Sequence, residues 1–305
     1  MKEAMKRIFE QVAGLHDTPN GAYNLRADGK SIGSANTENI TIQFKENGQG
    51  IDVYVKPHTK GEMVHIPVAI SISGHQEMVY NDFHIGEGAD ITVIAGCGIH
   101  NDGMHLTQHD GIHSFYLEKD AKVVYVEKHY GTGEGTGERV LNPVTKVFLK
   151  NGSYLEMDTV QIKGVDSTKR VTESVVGENA TLIVKEKLMT HANQYAQTEF
   201  QVDLNGKNSH TDIISRSVAQ GNSKQIFLSK INGNELCMGH SECDAIIMDN
   251  ASVQAIPEIT ANHVDASLIH EAAIGKIAGE QIIKLMSLGL TQEEAEREII
   301  NGFLK

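Results

Sequence analysis

GADITV (88–93), DAKVVYV (120–126), NGSYLEM (151–157) and NATLIV (179–184) share one plan: a turn residue, a small residue, then a strand-like alternating run. The small residues Ala89, Ala121, Gly152 and Ala180 lie 32, 31 and 28 residues apart. NASVQAI (250–256) and DASLIH (265–270) repeat the plan, with Ala251 and Ala266 only 15 apart. A unit recurring near these spacings, with a half-spacing present as well, predicts a coil of two strands per turn. Stacked, such coils make a right-handed parallel β-helix. Short alternating strands are also the mark of a β-sandwich or jelly roll, and the pattern alone leaves that fold open.

Working outward, the same strand period fills the middle of the chain. ITIQF (40–44), KVVYVEKHY (122–130), TLIVKEKL (181–188) and TDIISRSVA (211–219) are rich in β-branched residues and bounded by Gly, Asn or Asp. No helical period intervenes for about 200 residues, which excludes alternating βαβ units. Before this region, Met5, Ile8, Phe9 and Val12 recur at helical spacing and predict a helix over 2–13, followed by a polar, turn-rich stretch. After it, GKIAGEQIIKLMSLGL (275–290) places Ile277, Ile282, Leu285 and Met286 at helical spacing and stops near Gly289. Thr291 and Glu294 then form a capping box for a second helix, striped by Ala295, Ile299, Ile300 and Phe303. The expected organisation is an N-terminal helical and irregular segment (1–38), a mainly β core (39–272) and a C-terminal helical hairpin (273–305).

Composition narrows the function. Of 305 residues, 40 are acidic and 27 basic, a net charge of −13 that opposes a nucleic-acid surface. Tryptophan is absent and aromatics make up 5%, as expected for a narrow core of aliphatic side chains. Cys97, Cys237 and Cys243 are too few for a disulfide framework and fit a reducing cytoplasm. The N-terminus lacks a signal-peptide core and no run reaches membrane length. GTGEGTGER (131–139) matches neither nucleotide fingerprint and reads as a glycine-rich loop.

Two stretches carry metal-capable chemistry. In CMGHSEC (237–243), Cys237 and Cys243 flank His240 at a spacing unlike a zinc knuckle, and a buried structural cysteine is the plain alternative. Further on, His270 and Glu271 close the last strand, where both can reach one rim. Thiolate, imidazole and carboxylate are together competent iron ligands. The second stretch, CGIHNDGMHLTQHDGIHSF (97–115), holds Cys97, His100, His105, His109 and His113. Gly103 and Gly111 disfavour a helix there, so these histidines are expected in a loop between coils, either solvated or holding a second metal.

The C-terminal stretch carries a resemblance. CDAIIMDNASVQAIPEI (243–259), followed by HEAAIGKIAGEQIIKLMSLGLTQEEAEREIINGF (270–303), resembles the signature of the SufB/SufD family of iron–sulfur cluster assembly proteins, in a short SufB-like form. The resemblance implies a β-helix scaffold that assembles and transfers a transient cluster, [4Fe-4S] or [2Fe-2S]. By the resemblance Cys243 would be the scaffold cysteine, with His270 and Glu271 as further ligands; their place in CMGHSEC makes Cys237 and His240 candidate auxiliaries. Ile269 stands where some SufB proteins carry another acidic residue. The family pairs through its β-helices, which implies a homodimer or a pair with a SufD-like paralogue. It also implies a SufC-like ABC-type ATPase docked on the helical region, for which Ile282, Leu285, Met286, Ile299 and Phe303 are the candidates. A cysteine desulfurase would donate sulfur and apo iron–sulfur proteins would receive the product. ATP would bind the partner, so this chain would be a non-catalytic scaffold with no nucleotide of its own; the resemblance also admits a flavin. Two competing readings are a β-helix carbohydrate-active enzyme, opposed by the poverty of aromatics, and a metalloenzyme built on the histidine cluster.

Overall fold

The computed structural model describes residues 3–305. Helix α1 spans Glu3–Ala13, so position 2 of the expected helix lies outside the described residues. Strands β1 (Ala22–Ala27), β2 (Lys30–Ala35), β3 (Ile40–Phe44) and β4 (Gly50–Val55) follow. Long strands come next: β5 (Lys60–Ile70), β6 (Gln76–Ile85), β7 (Asp90–His100), β8 (Thr107–Leu117) and β9 (Lys122–Thr132). Then come β10 (Arg139–Leu141), β11 (Val144–Leu149), β12 (Tyr154–Lys163), β13 (Ser167–Val176), β14 (Thr181–Thr190) and β15 (Tyr195–Leu204). The β part ends with β16 (Ser209–Ala219), β17 (Lys224–Gly233), β18 (Cys237–Ile247), β19 (Ser252–Ala261) and β20 (Ser267–Gly275). Helices α2 (Gly279–Ser287) and α3 (Gln292–Phe303) complete the chain.

The strands form a parallel β-solenoid, so the β-helix expectation holds and the sandwich alternative falls. One sheet runs β2-β1-β5-β7-β9-β12-β14-β16-β18-β20; the other runs β19-β17-β15-β13-β10-β8-β6-β4-β3, with β11 continuing β10. Pairing is parallel throughout except for β1–β2 and β3–β4 at the N-terminal end. The first of these is a hairpin inside the stretch expected to be irregular. Register repeats such as Asp90↔Lys122, Tyr154↔Thr181 and Ser209↔Cys237 show one turn taking about 30 residues.

The repeat that opened the sequence has a local cause. Gly88, Asp120, Gly152, Asn179 and Asn208 all take positive φ at one corner, where Gly, Asp and Asn are tolerated best. The next residues, Ala89, Ala121, Ser153, Ala180 and Ser209, turn inward and are fully buried. The inward position of the third coil is therefore Ser153, and Gly152 supplies the left-handed turn. Ala251 and Ala266 lie at opposite corners of one coil, which accounts for their half-spacing. Asn262 donates to Asn234 (2.7 Å) and Asn234 to Asn205 (2.6 Å), an amide ladder that tethers successive turns.

Between the sheets, Val, Ile, Leu and Ala fill a thin core, with Phe83 stacked on Phe115 at 4.5 Å. Helix α1 lies across the outer face of β5, β7 and β9. Gly96 and Gly98 permit that approach: a Cβ would come within 2.7 Å of Val12 at the first and 2.3 Å of Ile8 at the second. At the other end, Ile300, Phe303 and Leu304 dock α3 against Val218, Met189 and Ile246. Among the described residues, nothing covers the outer edges of β19 and β20, so the solenoid ends in two strand edges.

Candidate functional site

The final coil positions the sequence-predicted donors. Strand β18 pairs with β20 in the register Ser241↔His270, Glu242↔Glu271 and Cys243↔Ala272. Since alternate residues face opposite ways, Cys243 and His270 point into the solenoid while Glu271 points out. His270 and Glu271 lie in the middle of β20, so they do not share a rim. The expected trio is thus split: thiol and imidazole on the inner face of neighbouring strands, carboxylate on the outer face.

Cys243 is buried at 1% exposure, beneath only the terminal strand. Burial, reinforced by Glu186 and Asp244, pushes its thiol up to about 12. It is therefore held as a neutral thiol, whereas a metal ligand must be a thiolate. His270 is held below the ordinary imidazole value by burial and by nearby His240, against a backbone hydrogen bond at Ser241, and among the described residues its Nδ1 is buried without a partner. That nitrogen lies two positions along the register from the buried thiol.

Outside, His240 and Glu242 project from β18 beside Glu271. One ligand atom from each lies within 4.8 Å of the others. Asp212 on β16, directly across from His240, binds its Nδ1 at 2.8 Å and leaves Nε2 facing Glu271. Burial and a hydrogen bond with Asp244 raise the carboxyl of Glu242. His240, expected as an auxiliary to Cys243, belongs to this outer group instead. Cys237 is buried at the corner preceding β18, where it occupies the inward small-residue position.

The histidine stretch is not a loop. His100 ends β7, His109 and His113 lie on β8, and only His105 sits between strands. His109, His113 and Cys97 point inward, joined by two residues the sequence reading passed over, Glu127 and His129. Together they line a small enclosed cavity. Cys97 is fully buried, and desolvation followed by the charge of Glu77 raises its thiol well above the ordinary value. Among the described residues, the stretch does not bring three donor atoms within 4.8 Å, as the outer group does.

This cavity begins a polar lane that the composition did not reveal. On the inner face, Ala95, Glu127, Thr159, Glu186, Ser215, Cys243 and Ala272 stand directly above one another on successive coils. Arg170 enters from the facing sheet and bonds Glu127 at 2.5 Å, with Glu186 3.8 Å away. Thr198 and Ser215 donate to Glu186 at 2.9 and 2.7 Å. Cys243 caps a file of satisfied buried charges.

The lane makes stability depend on pH. Burial holds His113 down to about 4, against the opposing pull of Glu127. Glu77 is pushed up by burial, but hydrogen bonds and charge from His109 and Arg26 win and bring it to about 2. His113 is harder to protonate in the folded chain than in the unfolded one, so its contribution is complete above about pH 6.5 and is lost between about 6.5 and 4. The loss approaches roughly 3 kcal/mol at the acid end. Glu77 contributes above its unfolded value of about 4.5 and is lost from there down to about 2. Urea midpoints measured across this range should fall as pH drops from about 7 to 4. His113→Gln should flatten that slope; an unchanged slope contradicts the assignment.

The C-terminal helices also depart from expectation. Helix α2 buries no residue: Ile283, Met286 and Leu288 are 67%, 44% and 72% exposed, while Ile282 and Leu285 are half-buried. In α3 the expected capping box is present. Phe303 packs on the solenoid beside Ile300, and Ile299 is half-buried. Candidate contact residues thus divide between those the chain uses itself and those it leaves exposed.

The final coil of the β-solenoid thus carries a buried thiol and an imidazole on its inner face and an imidazole with two carboxylates on its outer face. The sequence model of the SUF system FeS cluster assembly SufBD core domain matches residues 71–303. The chain belongs to the SufBD family. An iron-sulfur cluster assembly SufBD family protein of Archaeoglobus fulgidus is 31% identical over 252 residues, 80% of this chain and 66% of the relative. Another from Methanothermobacter thermautotrophicus is 29% identical over 224 residues, 72% of this chain and 53% of the relative. A third, from Methanocaldococcus jannaschii, is 25% identical and matches 100% of this chain and 98% of its own length. The chain thus spans only about half to two thirds of the first two relatives. No helix among the described residues is long and apolar enough to cross a membrane.

Proposed function

We propose that this chain is a non-catalytic scaffold on which an iron–sulfur cluster, the cargo of the system, is built at the final coil and then handed on. The observation that carries this reading is the placement of Cys243 beneath the uncovered terminal strand, with the inward-facing His270 on that strand two positions away in the register. A second chain meeting the first at this end would bring two thiols and two imidazoles together, supplying donors that one chain lacks. The exposed strand edges support such pairing, since they carry Ile256, Ile259, Ile269 and Ile274, all more than a third exposed.

The thiol must become a thiolate before it can hold iron, so β20 has to move off Cys243. Helix α2 follows β20 directly, and its exposed Ile283, Met286 and Leu288 suit the docking of a SufC-like ABC-type ATPase. An ATP-driven movement of that partner would pull on the terminal strand, provided it binds the open form more tightly than the closed one. A cysteine desulfurase and apo iron–sulfur proteins are the expected donor and acceptors. Mixed ligation by sulfur and nitrogen, weaker than four thiolates, suits release of the product.

The test is anaerobic reconstitution of the chain together with such an ATPase, with ATP, iron and sulfide. Cluster absorption in the visible should fall below about a tenth of wild type in Cys243→Ala, equivalent to about 1.4 kcal/mol or more of lost occupancy. Cys97→Ser should keep most of it. A full spectrum in Cys243→Ala overturns the site.

A further inference from the structure

We propose that His240, Glu242 and Glu271 form a binding site for a divalent first-row transition ion on the outer face of the final coil. In the scaffold this site takes up iron(II) before cluster assembly. That role rests on the scaffold reading; the binding itself does not.

The backbone builds the site. His240 and Glu242 are two apart on β18 and therefore share a face, and Glu271 is the direct register partner of Glu242 on β20. Two carboxylates directly opposite on neighbouring strands repel, and beyond the nearby Arg216 a cation between them relieves that repulsion. His240 is already set in a ligand's tautomer. Asp212 engages Nδ1 at 2.8 Å, and Nε2 is turned to the carboxylates, 3.8 Å from Glu271. A carboxylate behind a metal-binding imidazole is the arrangement that fixes ring orientation and raises nitrogen basicity. Asp212 would thus be a positioning residue and the other three the ligands.

The donor set selects the ion. Calcium takes six to eight oxygens and magnesium keeps its waters, so neither gains from an imidazole. One nitrogen with two carboxylate oxygens suits manganese(II), iron(II) or zinc(II). Atoms bound to one such ion sit about 3 to 3.5 Å apart, given bonds of about 2.0 to 2.2 Å. The three donor atoms, within 4.8 Å now, close to that spacing by rotation of Glu271, whose side chain is 68% exposed, and release of Glu242 from Asp244. With three protein ligands, the remaining positions go to water, and the ion stays exchangeable. Cys243 lies on the same strand, one residue beyond Glu242 and on the opposite face. Movement of β20, the strand that carries Glu271, would loosen the ion and uncover the thiol together.

Manganese(II) alone is the first probe, added to chelator-treated full-length chain and counted by electron paramagnetic resonance of the free ion. One ion per chain should bind, with a nitrogen hyperfine coupling in the pulsed spectrum. His240→Ala should abolish that coupling and weaken binding at least about 10-fold, and Asp212→Asn should weaken it by about 10- to 100-fold while keeping the coupling. Glu242→Gln should also weaken it, and Cys243→Ala should bind as wild type. Wild-type binding in His240→Ala, or no nitrogen coupling in the wild-type chain, overturns the site. Anaerobic iron(II) uptake should follow the same order, and full cluster yield in His240→Ala overturns the loading role. Should Cys243→Ala retain its cluster while His240→Ala loses manganese, the cluster site at Cys243 falls and the cation site stands.

Discussion

Arg170→Met should cost roughly 3 to 5 kcal/mol of stability and lower the melting temperature by on the order of 10 °C. Arg170 is 4% exposed and lies between Glu127 and Glu186, both about 5% exposed. It is the buried counter-charge of the polar lane. Glu127 is driven up by burial but brought well below the ordinary carboxylate value by Arg170 and His129. Glu186 stays above the ordinary value because burial outweighs Arg170 and its two hydroxyl donors. One guanidinium therefore keeps one carboxylate fully ionised and shields a second. Methionine fills much of the same volume but takes the guanidinium from both carboxylates, leaving Glu127 only His129, and breaking a buried pair costs far more than the pair contributes. A triple variant, Arg170→Met with Glu127→Gln and Glu186→Gln, separates charge from packing. It should recover most of the loss, because the amides carry no charge to desolvate. If the triple variant is as unstable as Arg170→Met, shape rather than charge holds the lane together.

The solenoid was legible because its corners constrain residue type. A left-handed residue followed by a small inward one recurs in five successive coils, and Ala89, Ala121 and Ala180 mark it even in a bare sequence. Strands β5 and β8 were harder to read. Pro67 in the middle of β5 argues against a strand, yet it sits in register with Gly96. In β8, histidines and Gly111 imitate a loop because their inward partners, Tyr125 for His113 and Glu77 for His109, come from strands 12 and 32 residues away. The polar lane left one sequence signal. In TLIVKEKL, Glu186 has the parity of Leu182, Val184 and Leu188, so alternation alone places a carboxylate inside. Its compensation by Arg170 is a cross-sheet contact with no local signature.

At the candidate site, sequence motifs located the right strands and could not settle the faces. Cys243, His270 and Glu271 are all on the final coil, but adjacent residues in one strand must separate, and so the trio divides. Glu242 was missed although its spacing from His240 is the two-residue period of a shared face. The helical hairpin shows the same limit. Periodicity found both helices, yet only tertiary packing decides that Ile300 docks while Ile283 and Leu288 remain exposed.

Under the proposed function, the sulfur of Cys243 is kept closed until the terminal strand moves. A thiol pushed up to about 12 carries a thiolate fraction of about 3 × 10⁻⁵ near pH 7.5, against about a tenth for an ordinary cysteine of pKa about 8.5. That is roughly a 3,000-fold deficit in the reacting species before any steric shielding is counted. The direct test is the alkylation rate of Cys243 in a Cys97→Ser, Cys237→Ser chain, followed alone, in denaturant, and bound to a SufC-like ATPase with and without ATP. Labelling should be at least about 1,000-fold slower in the folded chain than in denaturant, and ATP should accelerate it in the complex by about 100-fold or more, about 2.7 kcal/mol of population shift. Rapid labelling of the isolated folded chain, or a rate in the complex that ATP leaves unchanged, would contradict the account.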